Sequence, residues 1–186
     1  MFRTCIVTLS CLGALVAQSR SPAPNPPAVS PAGFQLTEPV FDVAADGTLL
    51  AAGPGYVARF DRRGAEFTPF LGSDAERTWP VSFVLVGAAV GGNDLPVAGA
   101  TPVRSGRLVT FARGAAEELY ELRADGMEQR FVFRSLPARG ELCLRIDVDS
   151  DLHAEVVADG VQFAGPRGGS TTASPLRSTP TASASR

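Results

Sequence analysis

Residues 119–133 read LYELRADGMEQRFVF. Two alternating stretches flank an Ala-Asp-Gly step. Before it, Leu119, Glu121 and Arg123 oppose Tyr120 and Leu122. After it, Phe131 and Phe133 share one face, while Arg130, Val132 and Arg134 take the other. A period of two with one apolar and one wet face is the pattern of a half-buried strand. Asp-Gly between such runs suits a tight hairpin, because glycine accepts a positive φ.

Working outward, the same chemistry recurs. Ala-Asp-Gly appears again at Ala45-Asp46-Gly47 and at Ala158-Asp159-Gly160. The flanks do not align at a fixed period, so this is repeated turn chemistry and not a sequence repeat. In ELCLRIDVD, Leu142, Leu144, Ile146 and Val148 face one way and Cys143, Arg145, Asp147 and Asp149 the other. PVSFVLVGAAV, residues 80–90, is apolar throughout and reads as a more buried strand. Sustained 3.6 periodicity is missing; only SDAERTW and GAAEELY suit a helical turn or two. Phe34 to Pro166 then holds roughly eight to ten strands on short turns, which antiparallel pairing accommodates. The expected fold is all-β, an antiparallel β-sandwich over residues 34–167, with a twisted barrel-like sheet as the alternative.

The chain has 186 residues, 45% hydrophobic and 19% charged, which fits one globular domain with a real core. The net charge of -2 offers no field to steer a polyanion, so nucleic acid is not an expected partner. All 17 basic side chains are arginine, which excludes Schiff-base and P-loop lysines and points to a GC-rich gene.

At the start, Arg3 precedes an apolar run from Cys5 to Val16, followed by small residues at Ala17 and Ser19. This is the layout of an export signal over residues 1–19, cut after Ser19, with Ala17 as the second choice. The run is short for a membrane span, and VTLSC lacks the apolar residue a lipoprotein box wants before Cys11. The expected location is therefore secreted or cell-surface. Residues 20–33, RSPAPNPPAVSPAG, read as a Pro-rich spacer. Cleavage would leave Cys143 as the sole cysteine, expected as a small buried hydrophobe on a strand.

Three segments, GPGYVARFDRRGAEFTPFLG, YELRADGMEQRFVF and VVADGVQFAGPRGG, resemble N-terminal β-rich modules of large uncharacterised secreted bacterial proteins. The resemblance covers residues 34–169 and implies an exported, all-β, non-enzymatic module with more chain after it. It carries no catalytic residues. The last stretch, GGSTTASPLRSTPTASASR, departs from this pattern. Residues 168–186 read as a disordered tail, since Ser, Thr and Pro bury too little apolar surface to order. Read one base earlier in a GC-rich gene, the tail can become V-H-Y-G-E-P-A-A-F-D-A-D-G-E-R-L-A. That is a further strand and a fourth Ala-Asp-Gly, as a frameshifted or truncated fragment would show, with the last strands of the domain missing.

Candidate sites are few. Asp147, Asp149 and Asp151 alternate as in the start of a calcium loop, but Leu152 stands where the loop needs glycine and no acid closes it. A solvated strand face is the stronger reading. His153, the sole histidine, lacks a nucleophile elbow and reads as an exposed strand-end residue. Glu117, Glu118 and Glu121 offer the carboxylates of a glycoside hydrolase, though close acids are common on any surface. GGNDL, residues 91–95, is a glycine turn with no lysine to make a phosphate loop. Trp79, Tyr56 and Tyr120 form the candidate sugar-stacking set, against an ordinary place in the core. No cofactor is implied, and cell-surface or polysaccharide contact is the partner class left. The sequence thus points to a non-catalytic structural or adhesive module, with a carbohydrate-binding or carbohydrate-active secreted domain as the alternative.

Overall fold

The computed structural model describes residues 4–12, 38–70, 77–157, 160–164, 170–173 and 177–181. The expected signal cleavage site and Pro-rich spacer lie outside the described residues, as does most of SDAERTW. All regular structure among the described residues is strand, and all pairing is antiparallel.

Two sheets form. The first runs in the order β13 (His153–Val157), β14 (Gly160–Ala164), β15 (Ser170–Ala173), β1 (Thr4–Leu12), β11 (Gly126–Phe133), β10 (Ala116–Arg123), β9 (Leu108–Ala112) and β8 (Val103–Ser105), with β16 (Arg177–Thr181) also on β1. The second runs β12 (Leu142–Asp149), β6 (Val81–Val90), β5 (Ala65–Pro69), β4 (Tyr56–Phe60), β3 (Leu49–Gly53) and β2 (Val40–Val43), with β7 (Asn93–Leu95) on β6. Neither order closes on itself, so the sandwich is found and the barrel alternative is not.

The hairpins are where the turn chemistry places them. Val43 pairs Leu49 around Ala45-Asp46-Gly47, Arg123 pairs Gly126, and Val157 pairs Gly160. Gly47 has φ 83, and the Asp46 carboxylate accepts from the Thr48 N–H at 2.9 Å, closing its turn from within. The thirteen strands from β2 to β14 exceed the expected number. The extra ones are short: three-residue β7 and β8 are too brief to show a period.

The two sheets face each other across one interior. Tyr56, Phe60, Phe67 and Phe83 of the second sheet pack with Phe111, Tyr120, Leu122 and Met127 of the first. Leu85, Ala88 and Val90 form a second cluster with Ala116, Phe131 and Phe133. The apolar β6 serves both. Val81, Phe83 and Leu85 point inward at odd positions; Ala88 and Val90 do so at even ones. The switch sits at a bulge, where Arg145 pairs Gly87 and Ile146 pairs Leu85, leaving Val86 extra and exposed.

Two expectations change. GAAEELY is not a helical turn: it leads into β10, because Ala116, Glu118, Tyr120 and Leu122 all face the interior at a period of two. The tail is not without structure: Ser170–Ala173 pairs with β14 and β1, and Arg177–Thr181 pairs with β1. Backbone hydrogen bonding to a neighbouring strand orders a segment whose side chains offer little burial.

Candidate functional site

The most concentrated polar chemistry lies in the interior. Arg113 follows β9 in the turn to β10, and its side chain is 1% exposed. Its Nε donates to a Glu118 oxygen at 2.7 Å. Nη1 donates to the carbonyls of Arg62 and Ala98 at 3.1 and 3.4 Å, and Nη2 to that of Arg63 at 2.9 Å. The guanidinium also lies 4.4 Å from the Phe111 ring centroid. The other Glu118 oxygen accepts from the Tyr120 hydroxyl at 2.6 Å and from Gln129 Nε2 at 2.7 Å. One arginine on the first sheet thereby holds the turn between β4 and β5 of the second. A buried charge is tolerable only when paired and hydrogen-bonded on this scale.

Geometry forces the arrangement. Arg113 N–H donates to the Ala116 carbonyl across the turn, and Gly114 takes φ 87. A side chain at Gly114 would also crowd the Pro96 carbonyl, whose neighbour Val97 bridges to Gly114.

On the outer face of the second sheet, the turn that Arg113 holds borders a shallow cleft of about 250 Å³. Thr48, Arg59, Asp61, Arg63, Glu66 and Ser82 line it. Arg59 pairs Glu66 across β4 and β5, their charged ends 3.9 Å apart. Asp61 accepts from the N–H groups of Arg63 and Gly64 at 2.7 and 3.2 Å, fixing the loop. Donors and acceptors of both signs thus sit side by side, at a rim anchored from beneath.

The sequence candidates fall elsewhere. Tyr56 and Tyr120 are 1% and 0% exposed, so they form no stacking platform. Tyr56 stacks on Phe67 with centroids 5.0 Å apart and donates to the Arg123 carbonyl of the opposite sheet at 2.8 Å. Burial, and then the Asp125 carboxylate, push its hydroxyl up to about 12. Trp79 is half-buried against the core and carries Arg77 over its ring at 4.2 Å. Arg77 in turn pairs Asp151 at 2.9 Å. Two residues read as belonging to separate sites are therefore joined through one arginine, which ties the lead-in of β6 to the turn after β12.

Asp147 and Asp149 stay on the exposed face of β12, and Asp151 is held by Arg77; among the described residues no three metal-ligating side chains converge. Glu117 and Glu121 pair with Arg134 and Arg130 on the outer face, while Glu118 lies on the opposite, buried face. Strand alternation separates the acids that glycoside hydrolysis would need together. His153 is exposed at the start of β13. Cys143 is exposed, not buried, because it shares the wet face of β12 with Arg145 and Asp147. Gly91 and Gly92 have φ 55 and 80, making GGNDL the β6–β7 hairpin.

Sequence reading missed the Arg113–Glu118 pair. The available signal was the alternation itself, which puts Glu118 in register with Tyr120 and Leu122 on the dry face. No family model, curated protein or solved structure matches the chain.

Proposed function

We propose that this chain is an exported, non-catalytic β-sandwich module with a structural or adhesive role, a fragment of a larger extracellular or cell-surface protein. One observation carries the reading. The buried polar groups are used to join the two sheets: Arg113 with Glu118 and three backbone carbonyls, and Tyr56 with the Arg123 carbonyl. Side chains so engaged give rigidity and are closed to substrate. Export is supported by Arg3, the apolar run to Val16 and the small residues at Ala17 and Ser19. The resemblance of residues 34–169 to secreted bacterial modules, and the second-frame reading of the tail, support a longer parent protein.

The test has two arms. Genomic DNA is resequenced from codon 160 past the stop, and the purified chain is assayed for hydrolysis of a polysaccharide panel. A corrected frame that continues into further strands, with no turnover, supports the proposal. Turnover that tracks the protein through purification overturns it.

The cleft favours a second reading, carbohydrate binding without catalysis. Arg59, Asp61, Arg63, Glu66 and Ser82 alternate donors and acceptors, as a polyhydroxylated ligand requires. Binding on a glycan array that Arg59→Ala abolishes would establish it.

A further inference from the structure

β11 is the strand on which the first sheet depends. On one side it pairs with β10, from Arg123↔Gly126 to Ala116↔Phe133. On the other it pairs with β1, from Leu12↔Gly126 to Cys5↔Phe133. β15 and β16 reach β11 only through β1. Residues 4–12 lie within the segment proposed above as an export signal. Cutting after Ser19 would therefore remove a central strand and bare the whole edge of β11. A regular, unprotected edge of that length templates pairing with another chain.

The side chains of β11 select the chain that fits. In an antiparallel pair, directly opposite residues point to the same face, so a strand can meet its own copy only in registers that keep parity. With the two-fold axis at Gln129, the two strands overlap over most of their length. On the outer face Glu128 then stands opposite Arg130 of the copy, and Arg130 opposite its Glu128. On the inner face Met127 meets Phe131, both fully buried side chains of the core. Shifting the axis to Glu128 or Arg130 would oppose like charges. Arg130 Nε is also buried without a hydrogen-bond partner among the described residues, its pairing to Glu121 running through Nη2. The facing Glu128 accepts from Arg123 Nη1 of its own chain at 2.9 Å, so across the axis its carboxylate would be shared between Arg123 and the copy's Arg130.

We propose that the exported chain closes this edge with a second copy of itself, β11 against β11, about a two-fold axis at Gln129. The first sheets of the two copies become one continuous sheet, an isologous contact. The proposal rests on the export reading, and the two can fail separately.

The experiment uses the whole gene, expressed in an exporting bacterial host. The processed chain is recovered, its N-terminus read by intact mass, and its oligomeric state followed by light scattering on dilution under reductant. The 186-residue chain made without export serves as the comparison. The expected result is a dimer for the processed chain and a monomer for the whole one. A synthetic peptide of residues 4–12 carrying Cys5→Ser and Cys11→Ser should convert the dimer to monomer by covering the edge. Glu128→Arg should weaken the dimer about tenfold, and adding Arg130→Glu should restore it by reversing both charges. A processed chain that is folded by circular dichroism and monomeric overturns the dimer alone. A dimer indifferent to both the peptide and the charge changes overturns the β11 contact. A recovered chain that keeps residues 4–12 overturns the cleavage after Ser19 and, with the edge still covered, this proposal too.

Discussion

The Tyr56 hydroxyl donates to the Arg123 carbonyl at 2.8 Å, joining β4 of one sheet to the end of β10 in the other. Removing the hydroxyl leaves that carbonyl without its donor. Tyr56→Phe should lower stability by about 1–2 kcal/mol, with the fold retained. Urea denaturation of the two proteins at neutral pH measures it.

The same tyrosine gives a signed pH dependence. Its hydroxyl is pushed up from 10.0 to about 12, by burial first and then by Asp125. The folded state therefore holds the proton more tightly than the unfolded chain. Its contribution is fully present below pH 10 and is lost as pH rises through about 12. The difference in stability between the native protein and Tyr56→Phe should shrink over that window. Melting both at a neutral and a strongly alkaline pH checks the sign; a gap that widens would contradict it.

Breaking the interior ion pair on one side only should be costly. Arg113→Met leaves Glu118 charged and buried, and should destabilise the protein by about 3–5 kcal/mol. Arg113→Met with Glu118→Leu should recover part of that loss, because no charge is then stranded. A double-mutant cycle by chemical denaturation reads the coupling.

Glycines differ by what surrounds them. A Cβ at Gly64 would run into the Phe83 carbonyl oxygen of β6, which cannot move without disturbing the sheet. Gly64→Ala should cost about 1–3 kcal/mol. Gly55 has open space around it, and Gly55→Ala should stay within about 0.5 kcal/mol of the native protein. Thermal melts of the pair suffice.

Cys143 is exposed on β12. In a chain whose Cys5 and Cys11 are replaced by serine, it should react with a thiol reagent in the native state as fast as it does in denaturant, and adding Cys143→Ser should abolish the signal. Strong native protection would mean that the outer face of β12 is covered.

Much of the fold was legible because it obeys a period of two. Tyr120, Leu122, Phe131 and Phe133 were placed on faces by alternation alone, and the three Ala-Asp-Gly steps fell at hairpins. What alternation cannot supply is the partner across the sandwich. Arg113 lies in a turn, where no period applies, and its acceptors at Arg62 and Arg63 come from a distant loop. Cys143 shows the opposite case: its flanking leucines suggested burial, but its own face is shared with Arg145 and Asp147. The joining of Trp79 to Asp151 through Arg77 depends on a contact between residues 74 apart, which no local pattern encodes.

β6 feeds two packing clusters, Val81 and Phe83 in one and Leu85, Ala88 and Val90 in the other, and the extra residue Val86 resets its alternation within the second. A strand shared in this way couples two neighbourhoods without merging them. Local opening of one end need not release the other. Amide hydrogen exchange along β6 would then show two plateaus that meet between Phe83 and Leu85, so that one strand records the separate endurance of each half of the interior.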